Sequence, residues 1–170
     1  MVEAMHWMHF STPSDATKRF VRFYTHRESN LASSLLIHAV PARSEHVRDF
    51  QFADEIQIHN FDDGVVHIAE TPALIGLQTH RRVEQLIRGR IESFNIFFQP
   101  AALSLLFALP GVSITNADHD ARGVLGRAVS ALRERIGNCS SFPESGIHLA
   151  LPRRCDVFRR QSGDVRDSAP

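Results

Sequence analysis

Two histidines and a glutamate in the first half of the chain have the residue types of a metal site. His59 and His67 lie in two short segments in which apolar and polar residues alternate, and Glu70 follows the second segment. Histidines on paired strands can bind a divalent metal ion together with a carboxylate. The same histidines flank a turn, where strand side chains are usually solvated. We therefore favour solvated histidines and keep the metal site as the alternative.

A cluster of basic residues has the composition of an anion-binding surface. It consists of His80, Arg81, Arg82, Arg88 and Arg90. Alternation along a strand would divide these side chains between two faces, and no aromatic residues are interleaved for base stacking. The chain also carries 19 basic and 19 acidic residues, so its formal net charge of zero gives no general attraction to nucleic acid. The pattern favours a solvated face over a phosphate-binding site.

Motifs of nucleophilic or phosphate chemistry are missing from the sequence. It contains no G-x-S-x-G, G-x-G-x-x-G or P-loop pattern. Its two cysteines, Cys139 and Cys155, are too far apart for a CxxC pair, and they lie in or beside an irregular tail in which nothing would hold a base beside them. The residues alone therefore identify no nucleophilic or phosphate chemistry, and they indicate no cofactor.

Short strands are the elements that would position these residues. Five segments have the alternation or the β-branched content of strands. They are residues 34–40, 50–52, 55–59, 65–69 and 73–77. Asp63-Gly64 predicts a hairpin turn, and segment 81–87 is predicted to form a second hairpin with 91–98 through Arg88-Gly89-Arg90. Several short strands with regular turns predict a small antiparallel β-sandwich or barrel.

Residues 91–111 join a strand directly to a helix. Phe94, Ile96 and Phe98 fall on one face of the predicted strand. Pro100 suits the first turn of a helix, which should continue to Ala108 and end before Pro110. This unit contains no nucleophile and no metal ligand, so we interpret it as scaffold.

A second helix is predicted over residues 120–136, with Asp118 or Asp120 as its N-cap. Its apolar stripe consists of Val124, Leu125, Val129, Leu132 and Ile136. The stripe can complete the core of the domain, which we favour, or it can form a dimer face against a second copy of the chain.

The predicted fold class is α+β: the small antiparallel β-sandwich or barrel is followed by two helices. Residues 1–33 are predicted to be a loosely ordered N-terminal segment, 34–138 the β-rich domain with its helices, and 139–170 an irregular, disordered tail. The N-terminus lacks the apolar run of a signal peptide, and the longest apolar run is too short to span a membrane. A cytoplasmic protein without membrane contact is expected.

Packing motifs in the second half of the sequence point to a family. They are Leu74-Ile75-Gly76-Leu77-Gln78-Thr79, then a run from Phe94-Asn95-Ile96-Phe97-Phe98-Gln99-Pro100 to Pro110, then Asn116-Ala117-Asp118, Leu125-Gly126 and Leu132-x-Glu134-x-Ile136. This pattern resembles the N-terminal domain of one class of AraC-type transcription regulators. The resemblance covers residues 72–142, is weak over 34–71 and is absent from the tail.

The resemblance implies a cupin-like regulatory domain that is not an enzyme and that senses an unidentified small-molecule effector, forms a homodimer, or does both. In that family DNA is bound through a separate domain of two helix-turn-helix motifs, for which residues 139–170 are too short and too irregular. A regulator truncated before its DNA-binding half, with a tail changed by a frame shift, is therefore expected. The alternatives are a small metal-dependent cupin enzyme using His59, His67 and Glu70, or an inert remnant.

Overall fold

The computed structural model of the protein describes residues 6–139. Within that range the chain forms ten β-strands, three α-helices and one 3-10 helix. The strands are β1 (His6–Ser11), β2 (Val21–Asn30), β3 (Leu36–Ala39), β4 (Val47–Gln51), β5 (Gln57–Asn60), β6 (Val66–Ile68), β7 (Ala73–Ile75), β8 (Val83–Ile87), β9 (Arg90–Phe98) and β10 (Asp118–Asp120). The helices are α1 (Ala102–Phe107), α2 (Ala121–Leu125) and α3 (Ala128–Gly137), and the 3-10 helix is Gly111–Ile114.

The strands form two antiparallel sheets. The six-stranded sheet has the order β1-β2-β9-β4-β7-β10, and the four-stranded sheet has the order β3-β8-β5-β6. The prediction of a mostly antiparallel β-fold with few helices is confirmed. The disordered tail is predicted over residues 139–170, and 140–170 lie outside the described residues. No helix within residues 6–139 is both long and apolar enough to cross a membrane.

The six-stranded sheet is covered on both faces. Residues directly opposite each other in an antiparallel pair share a face. Phe50 is opposite Phe94, and both pack with Leu103 of α1 and Val129 of α3 in one core cluster. We call this face of the sheet the helix side. We call the opposite face, which is turned toward the four-stranded sheet, the inner side.

A second and smaller core lies between the two sheets. It joins Ile91 of the six-stranded sheet to the apolar residues of the four-stranded sheet. Its other buried members are Leu31, Val40, Ile56, Ile58, Val83 and Ile87. The β5–β6 hairpin of the four-stranded sheet is the one predicted from Asp63-Gly64, and Gly64 has a φ of +70° there. That prediction is confirmed.

The hairpin predicted between 81–87 and 91–98 is wrong. β8 belongs to the four-stranded sheet and β9 to the six-stranded sheet, so Gly89 lies at a corner between sheets. Gly89 has a φ of +68°, and its carbonyl accepts a hydrogen bond from the Leu31 N–H at 2.8 Å. The glycine turn that suggested a hairpin therefore redirects the chain from one sheet to the other.

The prediction of a loosely ordered segment over residues 1–33 is also wrong where the structure describes it. β1 and β2 lie in this segment, and β2 is a strand of ten residues paired with β9 along almost its whole length. The sequence pattern did not predict β2 as a strand because its inner-side residues Thr25, Arg27 and Ser29 are polar although they are buried. Without apolar residues at those positions, the alternation that identifies a strand is weak.

The helical region departs from the sequence-based prediction at one glycine. α1 confirms the predicted helix after Pro100, and the Asp120 Oδ1 atom accepts a hydrogen bond from the Arg122 N–H at 2.9 Å as the N-cap of α2. The single helix predicted over 120–136 is two helices, however. Gly126 has a φ of +73°, a left-handed conformation that a continuous helix cannot contain, and it separates α2 from α3.

Gly76 allows the 3-10 helix to approach the sheet closely. A Cβ atom at this position would lie 1.5 Å from the Ile114 carbonyl oxygen. The Gly76 N–H donates a hydrogen bond to the Ala117 carbonyl at 2.9 Å. The glycine in the Leu74–Leu77 motif is therefore required by packing.

Candidate functional site

Polar residues occupy the inner side of the six-stranded sheet, where an apolar core would be the usual filling. Arg27 of β2 is opposite Ser93 of β9, which is opposite Gln51 of β4. Asp49 lies two residues before Gln51 and therefore points to the same side. The central three strands thus carry a contiguous row of polar groups into the space between the sheets.

These groups contact one another and the facing sheet. The Gln51 Nε2 atom donates a hydrogen bond to Asp49 Oδ2 at 2.9 Å. The Arg27 Nη1 atom lies 3.5 Å from Gln85 Oε1 of β8, so it reaches across to the four-stranded sheet. The polar row is therefore clamped between the two sheets.

Burial of these side chains is nearly complete, and their hydrogen bonding is not. Arg27 is 7% exposed and Asp49 is 6% exposed. The Nε atom of Arg27 and the Oδ1 atom of Asp49 are both buried and find no hydrogen-bond partner among the described residues. A buried polar atom without a partner costs roughly 1–3 kcal/mol, and such atoms are concentrated at functional sites.

The charges of this region are coupled. Burial raises the pKa of Asp49 to about 6, although the hydrogen bond from Gln51 and the charges of Arg43 and Arg27 oppose the rise. Burial lowers the pKa of Arg27, and the charge of Asp49 acts against it. A carboxyl group that titrates near neutral pH inside a fold can change charge when a ligand arrives.

A second aspartate extends the charged region toward the edge of the sheet. Part of Asp118 is exposed, yet its surroundings desolvate the carboxyl group and raise its pKa, against the charges of Arg43 and Arg82. The Nε atom of Arg43 is itself buried without a partner among the described residues. We define the inter-sheet polar cluster as Arg27, Arg43, Asp49, Gln51, Gln85 and Asp118.

Aromatic rings lie beside the inter-sheet polar cluster. Phe23 and Phe97 are opposite each other on the inner side and stack with ring centroids 4.3 Å apart. Phe10 lies 6.0 Å from Phe23 and is 67% exposed. Small-molecule sites typically combine apolar or aromatic walls with a few buried polar groups that fix orientation. This inner surface has both components.

The metal candidates His59, His67 and Glu70 are not brought together. His67 is opposite Ile58, a residue of the inter-sheet core, whereas the adjacent His59 points to the outer face of the same sheet. His59 Nδ1 instead lies 3.0 Å from Glu84 Oε1. Glu70 is exposed beyond the end of β6. In the described part of the chain, no group of three or more His, Cys, Asp or Glu residues is arranged to hold a metal ion.

The proposed dimer face lies mostly inside the domain. Leu125, Val129 and Ile136 are buried in the helix-side core, and Leu132 packs against it. Val124 is 36% exposed. Four of these five side chains therefore pack in the core of the domain, which is the first of the two alternatives predicted for this stripe.

The basic cluster is divided among local ion pairs. Arg81 contacts Glu84 at 3.2 Å, and Arg82 contacts Asp62 at 2.6 Å. Arg90 contacts Glu92 at 2.6 Å. His80 lies 3.6 Å from Asp62, and Arg88 is exposed. His80, Arg81, Arg88 and Arg90 are exposed, as on a solvated face, whereas the Arg82 side chain is only 15% exposed.

Sequence reasoning missed Arg27, Asp49 and Arg43. The one available signal was the charged pair Arg48-Asp49 inside the apolar segment Val47–Phe50, because charges in a strand interior are unusual unless they are paired or functional. The burial of Arg27 and Asp49 on the inner side depends on how the strands pair, and the composition of a segment does not reveal that pairing.

Comparison with known proteins gives one structural likeness. No protein-family model matches the chain, and the comparison with curated proteins found no match. The chain is similar to a solved structure of oxalate decarboxylase, with a TM-score of 0.38 and 9% sequence identity. That structure was described for the substrate binding mode and the chemical basis of a reaction specificity switch in oxalate decarboxylase. The match covers 74% of this chain and 37% of that chain.

The prediction that the chain is not an enzyme is contradicted by this comparison, because the matched protein is an enzyme. The TM-score is too low for any reaction or substrate to be transferred to this chain.

Proposed function

We propose that this chain is the effector-sensing domain of an AraC-type transcription regulator and that its effector binds at the inter-sheet polar cluster. The family part of the proposal is supported by the sequence motifs of residues 72–142. The binding part is supported by one observation above all: Arg27 and Asp49 are buried on the same side of the sheet, and each keeps an unpaired polar atom.

The chemistry of the cluster describes the effector. Arg27 and Arg43 offer N–H donors, so the effector carries a carboxylate or carbonyl oxygen. Asp49 offers an unpaired oxygen, so the effector also carries a hydroxyl or amide N–H. The stacked rings of Phe23 and Phe97 suit an apolar or aromatic portion. A small hydroxy acid or amino acid with a nonpolar side group has all three features.

A thermal-shift panel tests the binding part. Hydroxy acids, amino acids, sugars and aromatic carboxylates would be added to the wild type and to Arg27→Met and Asp49→Asn. We expect at least one acid to raise the Tm of the wild type and to lose most of that effect in both variants, because only the folded state binds. Arg90→Met is the matched control, since Arg90 is an exposed arginine paired with Glu92.

Two outcomes would contradict the binding part. One is a panel in which every class leaves the wild-type Tm unchanged. The other is a ligand that stabilises the wild type, Arg27→Met and Asp49→Asn equally, since such a ligand binds elsewhere.

In a regulator of this type a helix-turn-helix domain recognises DNA, and residues 6–139 have no part in that recognition under this proposal. We therefore expect no specific duplex binding by this chain at physiological salt in fluorescence anisotropy. Nanomolar binding that discriminates between duplex sequences would contradict this assignment while leaving the effector site open.

A further inference from the structure

We propose a second ligand site, on the helix side of the six-stranded sheet, where Arg48 and His119 bind a small oxyanion such as a carboxylate or phosphate group. This site is separate from the inter-sheet polar cluster because Arg48 and Asp49 are consecutive in β4 and point to opposite faces. It also does not depend on the proposed regulator function.

Arg48 is a buried charge for which the described residues provide no counter-ion. It is 5% exposed, and its Nε atom is buried without a hydrogen-bond partner among those residues. Its guanidinium carbon lies 5.9 Å from the centroid of the Phe50 ring and 5.7 Å from that of Phe107. Burial lowers its pKa to about 10, so it remains charged at neutral pH.

Aromatic contacts offset only part of the desolvation of such a charge. The attraction between a cation and an aromatic ring is weaker than the cost of burying an unpaired ion. Arg27, the other buried arginine of the six-stranded sheet, shows the contrast, because the charge of Asp49 acts on it. The pKa of Arg48 is lowered by burial, and no carboxylate of the described residues opposes that shift. An external anion would supply the missing partner.

His119 provides a second buried group on the same face. Arg48 is opposite Leu74 in β7, and Leu74 is opposite His119 in β10. The three residues therefore form one row across the helix side of the sheet. The Nε2 atom of His119 is buried and has no hydrogen-bond partner among the described residues. The imidazole of His119 is therefore a second polar group on the face that carries Arg48, and a guanidinium and an imidazole both have the chemistry to bind an oxyanion.

Thermal unfolding with defined salts tests the site. Sodium phosphate, acetate and benzoate would each be compared with sodium chloride at equal ionic strength, using the full chain. We expect one of the oxyanions to raise the wild-type Tm and to bind Arg48→Met about tenfold more weakly or worse, because a charge-assisted hydrogen bond is lost. The phosphate arm and the two carboxylate arms identify the kind of anion.

Two matched controls locate the effect. Arg19→Met removes an exposed arginine that also lies over a phenylalanine ring, at 4.3 Å from Phe20. Arg27→Met removes a buried arginine on the inner side. Both variants should keep the full anion response. If Arg27→Met loses the response and Arg48→Met keeps it, the anion binds at the inter-sheet polar cluster and the second site is disproved.

A measurement on the wild type covers the case in which Arg48→Met does not fold. The arginine Nε–Hε resonance of Arg48 would be followed by NMR during titration with the same three salts. A saturable shift of this resonance supports the site. If no oxyanion shifts either the Tm or the resonance beyond the chloride control, Arg48 is held by its two phenylalanine rings alone and the proposal fails.

Discussion

The two faces of the six-stranded sheet are both buried, but they are built from different chemistry. On the helix side, Tyr24, Phe50, Leu74 and Phe94 form an apolar core under the helices. On the inner side, the same strands present Thr25, Arg27, Asp49, Gln51 and Ser93, which are buried as well. In strand β4 all five residues are buried and alternate between the two faces, with Asp49 and Gln51 on the inner side and Arg48 and Phe50 on the helix side.

The difference separates the residues that stabilise this domain from those that give it a candidate site. Apolar burial on the helix side contributes about 25 cal/mol for each Å² removed from water. Burial of charge on the inner side costs free energy unless the charges are paired. The inner side is therefore expected to tolerate substitution better in terms of stability, and worse in terms of binding.

Phe50→Ala should give the largest effect. Phe50 is fully buried, and removal of its ring leaves a cavity that costs about 3–5 kcal/mol in the free energy of unfolding. Urea denaturation of the variant and the wild type measures the loss. Phe61→Ala is the matched control, because Phe61 is 41% exposed and should cost about 1 kcal/mol or less. Equal losses would show that the helix side is not the main source of stability.

Leu125 and Val124 are neighbours in α2 with opposite environments, and both belong to the predicted dimer face. Leu125→Ala should lower the free energy of unfolding by about 2–4 kcal/mol, since Leu125 is 4% exposed in the helix-side core. Val124→Ala should change it by about 0.5 kcal/mol or less. Light scattering with both variants checks the dimer alternative. If Val124→Ala dissociated a dimer without a change in stability, Val124 would lie in a dimer interface.

Asp49→Asn tests the inner side through its pH dependence. The unfolded chain releases the Asp49 proton near its ordinary pKa of 3.8, whereas the folded chain keeps it to about pH 6. Because the folded state binds the proton more tightly, the contribution of Asp49 to stability is greatest below about pH 4 and falls by roughly 3 kcal/mol as the pH rises through about 6.

The asparagine variant lacks this titration, so its stability relative to the wild type should rise over the same interval. Urea denaturation at about pH 4.5 and about pH 7.5 measures the change. Asp15→Asn provides the control, because the Asp15 side chain is 95% exposed. A stability difference between Asp49→Asn and the wild type that is the same at both pH values would argue against a desolvated carboxyl group at this position.

Local signals in the sequence predicted local structure well. The β5–β6 hairpin, the strand that leads into Pro100 and the helix after it each depend on residues within a few positions of one another. Gly89 and Gly126 were misread for one shared reason. A glycine with a positive φ is compatible with a hairpin, a corner or a helix end, and the distinction is made by distant packing partners.

The candidate site depended on contacts that are distant in the sequence. Arg27 and Asp49 share a face only because β2 and β4 both pair with β9. The same dependence on register explains the metal candidates, because a pairing of His67 with Ile58 and not with His59 places the two histidines on opposite faces. No composition or spacing rule for one segment contains this information.

Asp120 gives the smallest predicted effect and the opposite pH dependence from Asp49. The N–H and the side chain of Arg122 lower the pKa of Asp120, so its contribution to stability is present above its ordinary pKa of 3.8 and is lost as the pH falls below that value. Asp120→Ala removes the cap of α2 and should cost about 1 kcal/mol in urea denaturation near neutral pH. Asp120→Asn should retain most of that stability, since asparagine caps a helix about as well, but without the pH dependence. If alanine and asparagine were equally destabilising, the ion pair with Arg122 would matter more than the cap.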